Sequence, residues 1–382
     1  VNSPGGARGG GVATALVAMG LVVCAVATSS WGAAPVVAAT PATWASVAAP
    51  AGTANLSFTD VACDAATCVA TGYPCGVASC AGFIAGVILY SGDDASSWNV
   101  AATPSDAGNL SHVTCANSAD CMAIGAAGPP AAAARAVVLI TTSYGARWTA
   151  VGAPSASLSG VACVAYSQCF VDGATRTGVP VMFRSANFGA TWSRERVPAP
   201  VASVGSIDCA TMTDCLAFAT AKVAPSALSL VTVNAGRTWR VGHLPATLGT
   251  IGSASCLSAT RCVAIGDLAK GHAGVVTVTT NGGLSWKALA RLPGALSMSG
   301  VSCYTSTSCV AVGAAAAAPA APAIFSTSNQ GAGWQSQPAP VGTSNLGGGV
   351  ACEPSGVCVA IGQWFTYTGV AATDDGPYIL VN

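Results

Sequence analysis

Seven times the chain repeats one pattern: a short apolar run, a cysteine, five or so residues, a second cysteine, then Val-Ala-Ile-Gly or a close variant. The pairs are Cys63/Cys68, Cys115/Cys121, Cys163/Cys169, Cys209/Cys215, Cys256/Cys262, Cys303/Cys309 and Cys352/Cys358, with first members 46 to 52 residues apart. A period of that length built from short strands specifies blades arranged around an axis. The pattern therefore predicts an all-β, seven-bladed β-propeller with four-stranded blades, despite a length of 382 residues that would otherwise suggest several domains.

The sixth unit shows how one blade is written. A first strand ends at Cys303, a hairpin of five residues follows, and Cys309 opens a second strand. A Pro/Ala loop leads to a third strand over residues 323–327, then a turn and a fourth strand around Trp334. Cysteines facing each other at a hairpin mouth satisfy the short reach of a disulfide. The last unit lacks a fourth strand, whereas Trp44 begins a fourth-strand pattern with no blade before it. An N-terminal strand completing the last blade would close the ring.

Charge is sparse, with 14 basic and 14 acidic residues and no net charge. That excludes the electrostatic footprint of nucleic-acid binding. Apolar residues make up 52% of the chain, much of it alanine, which permits close packing of sheets. Arg8 precedes an uncharged apolar stretch over residues 12–27, followed by small residues. This is the layout of a secretory signal, with a retained anchor helix as the alternative. Residues 1–39 are accordingly expected to be signal or anchor plus linker, and residues 40–382 the propeller. Setting aside Cys24, sixteen of the 17 cysteines remain: the seven pairs plus Cys75 and Cys80. An even, regular set outside the cytosol reads as a disulfide framework. No metal site or cofactor is expected. Zinc knuckles use shorter spacings, and the chain has only His112, His243 and His272.

A second signature precedes six tryptophans: SGDDASSW (91–98), TSYGARW (142–148), SANFGATW (185–192), TVNAGRTW (232–239), TTNGGLSW (279–286) and TSNQGAGW (327–334). This resembles the Asp-box (BNR) repeat of sialidase-superfamily propellers. A short polar side chain folds such a turn, Gly supplies a positive φ, and Trp covers the hairpin. Here Asn187, Asn234, Asn281 and Asn329 stand where Asp is usual, and Asp93 keeps the acid. In pattern the chain is similar to the non-catalytic, photosystem II assembly-factor type of Asp-box propeller. That resemblance implies a binding platform, though the Arg-rich patch of that group is missing.

The resemblance also raises glycoside hydrolysis. A sialidase-like site would need three Arg on a carboxylate, a Tyr nucleophile assisted by Glu, and an Asp acid/base. The two glutamates, Glu195 and Glu353, fall on an outer strand and in a cysteine hairpin. Up to their cysteines, the first strands offer only Asp60 and Asp208 as acids, and no Arg. These residues weigh against catalysis.

Both signatures fall on one face of a propeller, so the irregular loops of the opposite face are where a ligand is expected. In blade seven, residues 363–377 read as a long loop holding Trp364, Phe365, Tyr367, Asp374 and Asp375. These could stack on and bond a sugar, or simply cover the closing blade. In blade one, residues 71–86 read as a loop with Tyr73 and the extra Cys75/Cys80 pair. Arg176, Lys222, Lys270 and His272 lie on equivalent loops, with Arg176, Lys270 and His272 kept as ligand candidates. The expectation is a secreted or cell-surface, non-catalytic binding or scaffolding propeller for a protein partner, acting as a monomer. The alternatives are a carbohydrate-binding propeller and a glycoside hydrolase of the sialidase-like superfamily. Membrane contact is expected only through an uncleaved N-terminal segment.

Overall fold

A computed structural model describes residues 43–74, 86–127, 135–223, 227–270, 273–316, 321–343, 345–367 and 372–382. Residues 41 to 382 form one compact unit. It contains seven four-stranded antiparallel sheets, and one 3-10 turn at Ala165–Ser167 is its only helical element among the described residues.

Blade three shows the common plan: Ser157–Val164, Gln168–Ala174, Pro180–Ser185 and Ser193–Glu195, each pairing with the next. In the last blade, Val350–Cys352, Cys358–Tyr367 and Ala372–Val381 are completed by the N-terminal strand Ala45–Val47. Ring closure through the N-terminal strand is therefore observed. Trp44 is buried beside Tyr378 and Leu380, anchoring that short strand. Gln363 hooks blade seven to blade one by donating from Nε2 to Ser57 Oγ at 2.6 Å. First strands of all seven blades line a single axial cavity, so they form the inner wall.

Second strands are almost wholly buried, and two residues after their cysteine six of the seven carry alanine: Ala70, Ala123, Ala217, Ala264, Ala311 and Ala360. A methyl group at this position lets neighbouring sheets approach closely. The larger core residues interlock between blades. Phe170 and Met182 of blade three meet Val204, Leu230 and Trp239 of blade four. Phe58, Leu89 and Trp98 of blade one meet Val359, Ile361 and Ile379 of blade seven. Burial at these seams is the main drive for the ring to close.

All seven repeat pairs form disulfides: Cys63–Cys68, Cys115–Cys121, Cys163–Cys169, Cys209–Cys215, Cys256–Cys262, Cys303–Cys309 and Cys352–Cys358. Each joins residues directly opposite across a first-to-second-strand hairpin. The two cysteines of a pair differ in exposure: five of the seven first members are half-buried, whereas every second member is buried. Cys121, Cys169 and Cys262 are buried, as are Cys68, Cys215, Cys309 and Cys358, because each opens a second strand packed between neighbouring sheets. Cys121 packs with Val69 and Ile88 of the preceding blade, Cys169 with Phe188, and Cys262 with Leu216 and Val231. These cysteines are therefore core residues as well as bridges.

The turns before the tryptophans also share one network. In blade four, Thr232 Oγ1 accepts from the backbone N–H groups of Asn234 and Gly236, and Asn234 Oδ1 accepts from Thr238 N–H at 3.0 Å. Blades three, five and six repeat it around Asn187, Asn281 and Asn329. Gly236 has φ +81°, and a Cβ there would lie 2.6 Å from the Phe170 ring. Glycine is thus required both by the turn and by its seat on the preceding blade.

Two segments expected to be loops are partly strand among the described residues. Blade seven's second and third strands pair well past Gln363, with Trp364 opposite Gly376, Phe365 opposite Asp374 and Tyr367 opposite Ala372. Aromatic and β-branched residues favour an extended ladder, which explains why this run pairs rather than loops. Tyr73 lies within the second strand of blade one, opposite Ser57 and half-buried. Cys75, Cys80, His272 and residues 1–42 lie outside the described residues, as do the side chains at 364–367 and 372–376.

Candidate functional site

Two concave features stand out. The first is a groove of about 820 Å³ between blades two and three, on the face opposite the cysteine hairpins. Its floor is small and apolar, from Val137, Val138, Ala150 and Val151. Residues 152–157, which connect the two blades, form one wall. Arg135, at the start of the third strand of blade two, and Arg176 both line it, with Asp106 nearby on the rim. The turn carrying Arg176 is held by Val179 N–H donating to Thr175 Oγ1 at 3.1 Å, and by Gly178 at φ +78°. Both arginines are exposed, and no ion pair engages either among the described residues.

The second feature is the axial cavity, about 270 Å³. Glycines 205, 252, 300 and 348 leave part of its wall as bare backbone. Asp60 and His112 supply much of the chemistry there. The Asp60 carboxylate accepts from Val61 N–H at 2.9 Å and from Val113 N–H of blade two at 3.0 Å. His112 Nδ1 lies 3.4 Å from Asp60 Oδ2. Burial disfavours the His112 proton, but the Asp60 hydrogen bond and charge, with the Asp172 charge, hold it above the ordinary imidazole range. Asp208 repeats the inter-blade role of Asp60, accepting from Cys209 N–H and from Cys256 N–H of blade five at 2.8 Å. Loss of hydration pushes its carboxyl up to about 6, against the pull of those two bonds. Ser253, Ser255 and Ser302 cap amides of the following blade in the same way.

The sequence-derived candidates do not converge on one site. Arg176 belongs to the groove; Lys270 is exposed after the second strand of blade five. Tyr73 is in blade one, and the Trp364–Asp375 set lies on the blade-seven ribbon. The bridge cysteines, Cys121, Cys169 and Cys262 among them, line neither the groove nor the axial cavity, so they maintain the fold and touch no candidate ligand site. Glu195 pairs with Arg184 at 3.2 Å on the outside of blade three. Glu353 is buried at the seam of blades seven and one, accepting from Ser355 Oγ at 3.2 Å. Burial, then the nearby Asp94 and Asp64, push it up to about 7. Cys63 and Cys68, its sulfur neighbours, are taken up in a disulfide.

Arg135, His112 and Asp172 are not among the sequence-derived candidates. His112 carried a findable signal, because it stands where blade one has Asp60, two residues after the Leu or Phe that begins the inner-strand bulge. Asp172 carried one too. Three residues after the second-strand cysteine, other blades have Ile124, Phe218, Ile265, Val312, Ile361 or Thr71.

No protein-family model matches the sequence, and no curated protein matches it. Among solved structures, the chain superposes on U3-55K with a TM-score of 0.60 at 11% identity, over 89% of this chain and 99% of that one. YCF48 bound to D1 peptide gives a TM-score of 0.41 at 12% identity, over 71% of this chain and 92% of that one. The GH74 enzyme of Niastella koreensis gives 0.42 at 11% identity, over 83% of this chain and 65% of that one. The U3-55K likeness agrees with the strand topology: the described part of this chain is a seven-bladed propeller.

Proposed function

We propose that this protein is an exported, non-catalytic binding propeller that holds a protein partner on its loop face, chiefly in the groove between blades two and three. The observation that carries the reading is the groove itself, in which two arginines without ion-pair partners stand over a floor of small apolar side chains. Guanidinium groups bind carboxylates in a planar, two-pronged manner, and a shallow apolar floor suits an extended peptide. The fitting partner is a segment with an acidic side chain or a free C-terminus beside small apolar residues. Seven disulfides fit an oxidising compartment. No helix among the described residues is long and apolar enough to cross a membrane. In this reading residues 1–39 serve export, residues 40–382 bind, and the tryptophan turns are Asp-boxes that maintain the fold.

A peptide library selected on the oxidised protein tests the proposal. Enrichment of acidic peptides that no longer bind an Arg135→Ala/Arg176→Ala variant supports it. Peptides that bind both proteins equally would place recognition elsewhere and overturn the groove assignment.

A second reading is supported by the backbone of blade seven. Its second strand has ten residues, against seven in blades two, four, five and six. The ribbon bearing Trp364, Phe365 and Tyr367 therefore continues beyond the common strand length, as a sugar-stacking element would. Glycan-array binding lost in Trp364→Ala would favour this alternative, and absence of glycan binding would remove it.

A further inference from the structure

We propose that Asp60 and His112, backed by the charge on Asp172, form a proton-operated latch that ties blade two to blade one beside the axial cavity, drawing them tighter as the medium becomes acidic. Direct contacts cross the seam between blades one and two. Asp60 of blade one holds both the Val113 amide and the His112 ring of blade two. His112 lies within reach of the charge on Asp172 of blade three. Asp172 Oδ1 accepts from Ser159 Oγ at 3.0 Å, and Ser159 Oγ also lies 3.1 Å from the Val204 carbonyl of blade four.

Asp172 is fully buried and its Oδ2 has no hydrogen-bond partner. A buried, half-satisfied carboxylate is costly unless it gains a proton or a facing cation. The backbone makes room for it: a Cβ at Gly160 would lie 2.3 Å from Asp172 Oδ2. The corresponding second-strand residues in the other blades are apolar, apart from Thr71, so this acid is peculiar to blade three.

The strands packed against His112 supply few other charges. The first strand of blade one brings Asp60 and, at its far end, Asp64. Its second strand, the second strand of blade two and the first strand of blade three bring none. Asp172 comes from the second strand of blade three, and Asp208 lines the same cavity from blade four. Asp60, Asp208 and His112 line the cavity with no Lys or Arg, and Asp172 lies buried against the lining residue Gly160.

Burial pushes the Asp172 carboxyl up to about 6, and His112 is also raised. Both groups therefore hold protons more tightly folded than unfolded. The Asp172 contribution is fully present below about pH 4 and is lost as pH rises through about 6, whereas that of His112 is fully present below about pH 6.5 and is lost as pH rises above it. The two sites interact, so the titration belongs to the cluster.

Nuclear magnetic resonance of the full, oxidised protein tests this through the His112 ring proton, assigned by its loss in His112→Gln. The expected wild-type midpoint lies above about 6.5, the ordinary histidine value. Asp60→Asn and Asp172→Asn should each lower it by about half a unit or more. Exchange of the Val113 amide, corrected for intrinsic rate, should slow on going from pH 7.5 to pH 5. A wild-type midpoint at or below about 6.5, or one unmoved by both substitutions, would overturn the latch. Should Asp172→Asn not fold, the wild-type midpoint and Asp60→Asn still decide.

Discussion

The two faces of this ring are built on opposite rules. On one face, every blade repeats a disulfide hairpin, and four blades repeat the same Thr/Ser–Asn–Gly turn bond for bond. On the other, the described residues depart from the repeat: an arginine-flanked groove between blades two and three, a lengthened ribbon in blade seven, an exposed Lys270 in blade five. Repetition marks a demand that every blade shares, which is to stay folded and packed on its neighbour. Departure from the repeat marks a demand on one blade only. Stability should therefore concentrate on the first face and its seams, and recognition on the second.

The largest effect should come from the seams. Trp239 is buried edge-on against Phe170 of the preceding blade, with centroids 6.1 Å apart. Trp239→Ala should cost about 3–5 kcal/mol, read by denaturant unfolding of the oxidised protein. A loss near zero would mean that the repeated face does not carry the fold.

Next comes the hairpin bridge. Replacing both Cys209 and Cys215 by alanine opens a loop with a sequence separation of 6. So small a loop predicts a loss of about 2 kcal/mol, with groove binding unchanged. Weakened binding would show that the two faces are coupled.

The architecture was legible because it is written seven times. Strand order, the disulfides and closure by the segment after Trp44 all follow from a period that averages out local ambiguity. Cysteine spacing identified the bridges but not the burial of Cys121, Cys169 and Cys262, which depends on the neighbouring sheet. The site was less legible because it lies where the period breaks. Residues 363–377 read as a loop from their length, yet the backbone pairs across most of them, since ladder formation depends on a partner strand that local pattern does not name. Arg135 and Arg176 lie in adjacent blades and share a groove only after the blades pack. Asp172 is one acid within an apolar run, and only comparison of the repeats position by position isolates it.

Stability should also depend on pH through Glu353 at the closing seam. Its carboxyl, raised to about 7 by burial and by Asp94 and Asp64, binds its proton more tightly folded than unfolded. The folded ring thus holds the extra proton between about pH 4 and 7, and stability falls as pH rises through that window. The contribution is about 2 kcal/mol after solvent screening. Glu353→Gln should flatten the dependence of Tm on pH. An unchanged slope would show that Glu353 is not the responsible group.

The smallest change in stability belongs to the groove. Arg135→Ala with Arg176→Ala removes two exposed side chains and should shift unfolding by no more than about 0.5 kcal/mol. The same variant should abolish acidic-peptide binding. This pairing of negligible destabilisation with full loss of recognition is the inverse of what Trp239→Ala should give.

The measurement that bears most directly on the division between faces is amide hydrogen exchange with and without a bound, library-selected peptide. The account predicts added protection at residues 135–138, 150–157 and 175–177, with the cysteine hairpins and tryptophan turns unchanged. Protection confined to those hairpins and turns would contradict it and assign recognition to the repeated face.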